Sequence, residues 1–380
     1  MDSNIHSFLC MHSSTKAIHL GNFEEANGAI AMPIVLSTTF ERGEDQLSFP
    51  SGYLYSRNDN PNRNALEQKI SMLEEGAESI AFSSGMSATL AVFQSLGAGS
   101  HIILPDDMYY AGKNILQRLY AQWNISFSEV DMSNLEAVKN AILPNTKLIW
   151  IETPSNPMLK ITDIEGIAKI AKARNILTVC DNTWATPYFQ KPLVMGIDIS
   201  MNATTKYLAG HSDILGGALT FKEKNNTSEF IKDFQRLGGA VPSPFDCWLL
   251  CRSISTFHAR MPIHANNAMI LAEYLTKHPK IEKVIYPGLS NNKYHEIAKN
   301  QMIGGFGGMM SVLVKGGQKE ALNLVSKMKI FKHATSLGGV ESLIEHRKSV
   351  EGIHSNSPEN LLRISVGIED VRDLIEDFGD

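Results

Sequence analysis

Between Asn64 and Phe221, short apolar runs alternate with segments of helical periodicity, and this alternation limits the possible folds more than any other feature. Strands are expected at Ser79–Phe82, His101–Leu104, Ile125–Val130, Lys147–Ile151 and Leu177–Cys180. Helical patterns fall at Leu66, Ile70 and Leu73, with Gly76 as a stop, then at Ser87–Leu96, Gly112–Gln122, Asn134–Ile142 and Ile164–Ala173. Apolar strands separated by helices specify a mostly parallel sheet covered on both faces. Ligands of such sheets bind at the carboxyl ends of strands, where Ser84, Glu152 and Asp181 fall. After Phe221 the texture changes. Glu223–Thr227 reads as a polar surface loop, long helical patterns run to Tyr274, and short strands follow at Met309–Val314 and Leu361–Val366. The chain thus divides into a poorly periodic arm over 1–60 that needs a neighbouring subunit to bury it, a large α/β domain over 61–240, and a smaller α+β domain over 241–380.

Bulk properties exclude several classes of partner. A formal net charge of -5 gives no general drive toward nucleic acid or an anionic membrane. No apolar run approaches a membrane span, and Met1–His6 lacks the basic and apolar regions of a signal peptide. Cys10, Cys180, Cys247 and Cys251 show no CxxC pair, so reduced thiols and a cytoplasmic setting are expected. Asn225 and Asn226 each begin an N-x-[ST] pattern, which without secretion is a chance match.

The chemistry concentrates around Asp181 and Lys206. Asp181 ends the apolar run Ile176–Cys180, and Lys206 stands among the small and hydroxylated residues Ala203, Thr204, Thr205, Ala209, Gly210 and Ser212. Burial in such surroundings lowers a lysine pKa and makes the amine a nucleophile. A strand-end carboxylate with such a lysine is what pyridoxal 5'-phosphate (PLP) requires, an amine for its aldehyde and an anion for its protonated ring. Ser83-Ser84-Gly85-Met86 joins a strand to a helix start, where amides can cradle a phosphate, although such joints are often mere tight turns. In Glu152-Thr153-Pro154-Ser155-Asn156-Pro157, Asn156 can serve a ring oxygen, a substrate carboxylate or its own loop backbone. Tyr109 follows a strand end and can stack on a planar ring, but Tyr110 has the same spacing. Tyr53, Tyr55 and Arg57 form an aromatic–basic cluster suited to phosphate or to solvent. Arg363, in an apolar strand, needs an anion, whether a buried glutamate or a substrate carboxylate. Ser336 precedes Leu337-Gly338-Gly339, a tight turn where backbone can approach a ligand.

Taken together, these segments resemble the Cys/Met-metabolism family of PLP enzymes: cystathionine γ-synthases, cystathionine β- and γ-lyases, methionine γ-lyases and homocysteine synthases. Thr205-Lys206-Tyr207 with Gly210-His211-Ser212-Asp213 carries the resemblance, with the YxYSR, SSGM, ETPSNP and DNTxAT segments in order. It runs from Thr15-Lys16-Ala17-Ile18-His19 to Arg363–Asp370. It implies the type I, aminotransferase-like PLP fold and a homotetramer of dimers that share active sites. It also implies roles. Lys206 would bind the cofactor covalently and move protons. Asp181 would pair with the ring nitrogen, Tyr109 would stack on the ring and assist catalysis, and Thr183 would pack beneath it. Gly85, Met86 and Thr205 would bind the phosphate, with Tyr55 and Arg57 from the neighbouring subunit. Asn156, Ser336 and Arg363 would hold a substrate carboxylate.

Several positions depart from the family's pattern. Ala203 replaces a common phosphate-binding serine, and Trp184 a common phenylalanine, both as in some β-lyases. Ser336–Leu343 looks instead like γ-enzymes, and Tyr110-Ala111-Gly112 departs from a double glycine. Thr335 occupies a position that marks specificity and matches none of the subgroups. The expected activity is cleavage of a carbon–sulfur bond in cystathionine or a related sulfur amino acid, by β- or γ-elimination. The alternative is γ-replacement on an activated homoserine. The resemblance places either in methionine and cysteine metabolism. The rivals are a fold-related transaminase, a non-catalytic PLP-binding paralogue and a dinucleotide enzyme, the last disfavoured because no GxGxxG follows the first strand.

Overall fold

A computed structural model describes residues 11–22, 28–352 and 357–379; Met1–His6 and Cys10 lie outside the described residues. In chain order the elements begin with α1 (Ser13–His19), α2 (Pro61–Glu74), β1 (Glu78–Phe82), α3 (Gly85–Gln94), β2 (His101–Pro105) and α4 (Tyr110–Leu119). Next come β3 (Ser126–Val130), α5 (Leu135–Asn140), β4 (Thr146–Glu152), α6 (Ile164–Lys172), β5 (Leu177–Asp181), α7 (Thr186–Phe189), β6 (Ile199–Asn202) and β7 (Gly217–Phe221). Three helices follow, α8 (Asn226–Gly238), α9 (Pro244–Ile254) and α10 (Phe257–Leu275). The rest comprises β8 (Ile281–Ile285), α11 (His295–Gln301), β9 (Met309–Val314), α12 (Gln318–Val325), β10 (Lys332–His333), β11 (Leu343–His346), α13 (Arg347–Glu351), β12 (Leu361–Ser365) and α14 (Val371–Phe378).

The larger sheet has the order β1-β7-β6-β5-β4-β2-β3. Every pairing outside β7 is parallel, and β7 is antiparallel to both β1 and β6. Pleat alternation splits β4 cleanly: Leu148 and Trp150 join the core under α3, while Ile149 and Ile151 join the core under α6. The parallel strands therefore end on one edge, which carries Ser84, Glu152, Asp181 and Ala203. The second sheet, β10-β11-β12-β9-β8, packs its apolar face on α10 through Ala268, Leu271 and Leu275. A further core, containing Tyr207, Leu208, Ile254, Phe257 and Met261, lies where the Lys206 segment meets α9 and α10.

Local expectations shift in four places. The helix over Leu66–Leu73 stops because Glu75, not Gly76, takes the left-handed conformation (φ 57°). Gly76 is needed for packing instead, since a Cβ there would lie 2.4 Å from Thr220 Cγ2. Asn225 caps α8 by accepting the Thr227 and Ser228 amides, so the expected loop ends two residues early. The expected Ser87–Leu96 helix starts at Gly85, because Ser84 Oγ takes the Ser87 amide as its cap. The expected Gly112–Gln122 helix starts at Tyr110 and gives way to a 3₁₀ turn at Ala121–Trp123.

Candidate active site

The strand-end edge assembles most of the residues singled out by sequence. Asp181, in register with Glu152 on β4 and Met201 on β6, accepts the Thr183 amide at 3.0 Å. The Thr183 hydroxyl accepts the Ala203 amide at 2.8 Å, which ties β5 to the segment leading into Lys206. Burial raises the Asp181 pKa, while Thr183 and the Lys206 charge pull it down. Lys206 Nζ donates to Ser336 Oγ at 2.9 Å. Burial, with Arg363 and Arg347 nearby, lowers the Lys206 pKa to about 8 against the pull of Glu345 and Asp181. Near neutrality a usable share of the amine is therefore unprotonated.

Ser336 touches both of the site's central cations: its hydroxyl meets Lys206 and its carbonyl accepts Arg363 Nη2 at 3.1 Å. Its φ of 139° lies where side-chain-bearing residues rarely sit. The glycine beyond it serves a different approach from the one expected. Gly338 (φ 77°) lets this turn press on the Lys206–Tyr207 backbone, where a Cβ would come 2.7 Å from the Tyr207 nitrogen. Arg363 pairs within the chain. Nη2 meets Glu345 Oε1 at 2.5 Å and Nη1 donates to Asn156 Oδ1 at 3.1 Å. Glu345 also pairs with Arg347, which reaches Glu351. Trp184 lies 5.9 Å from the Arg363 guanidinium. With two arginines sharing Glu345, the guanidinium next to Asn156 remains a suitable anchor for an incoming carboxylate.

Tyr109 and Tyr110 are separated by environment. The Tyr109 amide donates to Glu152 Oε2 at 2.9 Å. The Tyr109 phenol sits within the field of Arg347 and Arg363 while burial raises its pKa. Tyr110 packs edge-on against it, with ring centroids 5.1 Å apart. The loop beneath is clasped by Asp107, which accepts the Ser155 hydroxyl and the Met158 amide.

The residues present fit PLP. The first-turn amides of Gly85 and Met86 lack helical acceptors, so they can meet a phosphate at the dipole's positive end. Gly85 allows close approach to the Lys206 segment, where a Cβ would lie 3.0 Å from Ala203 Cβ. Thr205 is already engaged, since its hydroxyl donates to the Gly216 carbonyl at 3.2 Å and accepts the Gly216 amide at 3.0 Å. Tyr55 and Arg57 stand apart in this chain. Tyr55 is exposed and bridges Thr39, and Arg57 Nη1 donates to the Arg236 carbonyl at 2.6 Å. Thr335 is exposed.

Sequence reasoning missed several supports. Glu345 lies directly opposite Arg363 in the antiparallel β11–β12 register, and two complementary charges embedded in apolar strands were the available signal. Arg260, buried on α10, carries no such signal. It donates to the carbonyls of Tyr207 (2.8 Å), Leu208 (3.4 Å) and Ser253 (3.2 Å) and to Thr256 Oγ1 (3.1 Å). Gly210 makes room for it, since a Cβ there would fall 2.1 Å from Nη1. Glu74 is buried on α2 and accepts both Asn202 Nδ2 (2.6 Å) and Asn182 Nδ2 (3.3 Å), joining the two segments that follow Asp181 and precede Ala203. Burial raises its pKa to about 7.

Comparison with known proteins follows the same lines. The family model described as Cys/Met metabolism PLP-dependent enzyme matches residues 14–380. A cystathionine gamma-synthase from Mycobacterium tuberculosis is 43% identical over 372 residues, covering 96% of this chain and 95% of the relative. A cystathionine gamma-lyase from Dictyostelium discoideum is 42% identical over 377 residues, covering 96% of each. The crystal structure of metB from Corynebacterium glutamicum superposes with a TM-score of 0.94 at 41% identity, covering 100% of this chain and 98% of that one.

Proposed function

This chain belongs to the Cys/Met metabolism PLP-dependent enzymes, and on that premise we propose that it performs trans-sulfuration chemistry at the γ-carbon of a sulfur amino acid, with cystathionine the substrate it cleaves. The observation that carries the reading is the Lys206 amine, held by Ser336 between Asp181 and the Arg363–Asn156 pair. Bound PLP supplies an electron sink for charge developing at the substrate Cα. Lys206, with a pKa near 8, takes the proton from that carbon and returns it at a neighbouring one. Arg363 and Asn156 would anchor the α-carboxylate, Tyr109 would cover the cofactor, and Asp181 would pair with its ring nitrogen. γ-Elimination then converts cystathionine and water into cysteine, 2-oxobutanoate and ammonia.

A second reading, γ-replacement on an activated homoserine, is favoured by the mycobacterial γ-synthases being as similar as the γ-lyase. Feeding L-cystathionine to the PLP-loaded protein and identifying the keto acid decides between them. 2-Oxobutanoate supports the cleavage, and pyruvate moves the broken bond to the β-carbon. With neither, formation of cystathionine from cysteine and an acyl-homoserine supports the replacement.

The same reading extends to assembly. Among the described residues Ile30, Leu36 and Leu47 are 99%, 68% and 81% exposed, apolar side chains that a second copy can cover. The arm over 1–60 packs on a second copy and brings Tyr55 and Arg57 to that copy's phosphate. The large domain over 61–240 and the smaller one over 241–380 complete a protomer, and dimers pair into a tetramer. A cytoplasmic setting accords with the buried, free thiols of Cys180, Cys247 and Cys251. Among the described residues no helix is long and apolar enough to cross a membrane.

A further inference from the structure

Glu152 has no role in the chemistry above, yet it ends β4 in register with Asp181 at the centre of the site edge. The two carboxylates are unequally supported. Asp181 is bonded by the Thr183 amide and hydroxyl and feels the Lys206 charge. Glu152, 5% exposed, accepts the Tyr109 amide at 2.9 Å. The groups around it are mostly acidic: Asp181 on β5, Asp107 in the loop after β2, and the Cys180 thiol. The nearby cation, Arg347 on α13, is already shared between Glu345 and Glu351. A second full negative charge at this edge would be buried without a counter-ion of its own.

We propose that Glu152 is a positioning residue that works as a neutral carboxylic acid, anchoring the Tyr109 backbone while leaving Asp181 the anion available to the cofactor ring. A carboxylic acid carbonyl still accepts the Tyr109 N–H, more weakly than a carboxylate would; that bond and Arg347 pull toward ionisation and are outweighed by burial and Asp181. Burial and the Asp181 charge both act in this direction, holding Glu152 well above the usual carboxylate range. The two acids titrate as a pair, and the better-bonded Asp181 loses its proton first. Because Tyr109 is the residue that leads into α4, fixing its amide fixes where its ring begins. The inference rests on the reading that Asp181 and Tyr109 flank bound PLP.

The test compares the full-length wild type with Glu152→Gln and Glu152→Leu. Glutamine keeps the shape and the acceptor without any charge, whereas leucine removes the acceptor. The infrared difference between wild type and Glu152→Gln at neutral pH should show loss of a protonated-carboxyl band. Loss of an ionised-carboxylate band overturns the proposal. PLP titration should give Glu152→Gln an affinity within about threefold of wild type and Glu152→Leu one weaker by about tenfold or more. A tenfold loss in the glutamine variant, or leucine matching glutamine, also overturns it. If the wild type itself fails to bind PLP, the functional reading fails instead, and the infrared band still reports on Glu152.

Discussion

The strand-end edge and the N-terminal arm both carry residues proposed to meet one cofactor, and they are held in opposite ways. At the edge, Asp181, Thr183, Lys206, Ser336 and Arg363 are fixed by contacts from several elements of the same chain. In the arm, the backbone near Met32–Val35 is tied down by amide and indole side chains, as Asn62 Oδ1 accepts the Val35 amide and Trp248 Nε1 donates to the Met32 carbonyl. Ala17, Leu20 and Met32 are buried, whereas Ile30, Leu36 and Leu47 remain exposed. In the proposed assembly, one half of the site is held within a protomer and the other half is supplied by a neighbour. The difference teaches that burial, more than residue type, separates an intrachain functional group from one offered to a partner.

The comparison can be broken most sharply at Lys206. Lys206→Ala should lower turnover by about 10³-fold or more, because the nucleophile and the proton carrier are lost together. Its thermal midpoint should stay close to wild type, measured by calorimetry beside a cystathionine assay. If the variant turns over at the wild-type rate, the edge is not the reacting half.

Arg260→Met asks whether the edge is rigid because of its supports. Three carbonyls lose a charged donor, and a destabilisation of about 3 kcal/mol is expected in urea titrations. A change near zero would mean that the Lys206 segment is held elsewhere.

The arm predicts a smaller, shared defect. Arg57→Ala should weaken PLP about tenfold, an effect of about 1.4 kcal/mol. With PLP held low enough to leave Arg57→Ala mostly empty, mixing it with Lys206→Ala should restore about a quarter of wild-type activity, since half of the random dimers would own one intact site. No recovery on mixing would place Arg57 in its own protomer's site.

Protons sharpen the contrast through the pH dependence of stability. The Lys206 pKa falls from 10.5 to about 8 on folding, so the unfolded chain binds more protons between those values. Stability should therefore rise with pH across that window, by up to about 3 kcal/mol relative to Lys206→Met, whose difference curve removes the other titrating groups. A flat difference between the two proteins from pH 8 to 10.5 would place the amine in water.

Much of this was legible in one dimension. Apolar runs between Ser79 and Cys180 located the strands, and strand ends located Ser84, Glu152 and Asp181, because side-chain alternation and helix periodicity act over a few residues. Boundaries were less legible where a cap decided them, as Ser84 and Asn225 did. Tyr109 could not be told from Tyr110 by spacing, since what distinguishes them is a carboxylate 43 residues away in sequence.

The sequence by itself determined the alternation of strands and helices from Ser79 to Cys180, the chemistry available at the strand ends, and the family. Tertiary structure decided which charges meet. Arg363 found Glu345 through the β11–β12 register, Lys206 found a hydroxyl 130 residues away, and Arg260 found the carbonyls of the Lys206 segment from α10, more than fifty residues on. The reason is physical. Local pattern reports which face a residue turns to the core, whereas a buried charge takes its partner from whatever distant element the packing brings within hydrogen-bond reach.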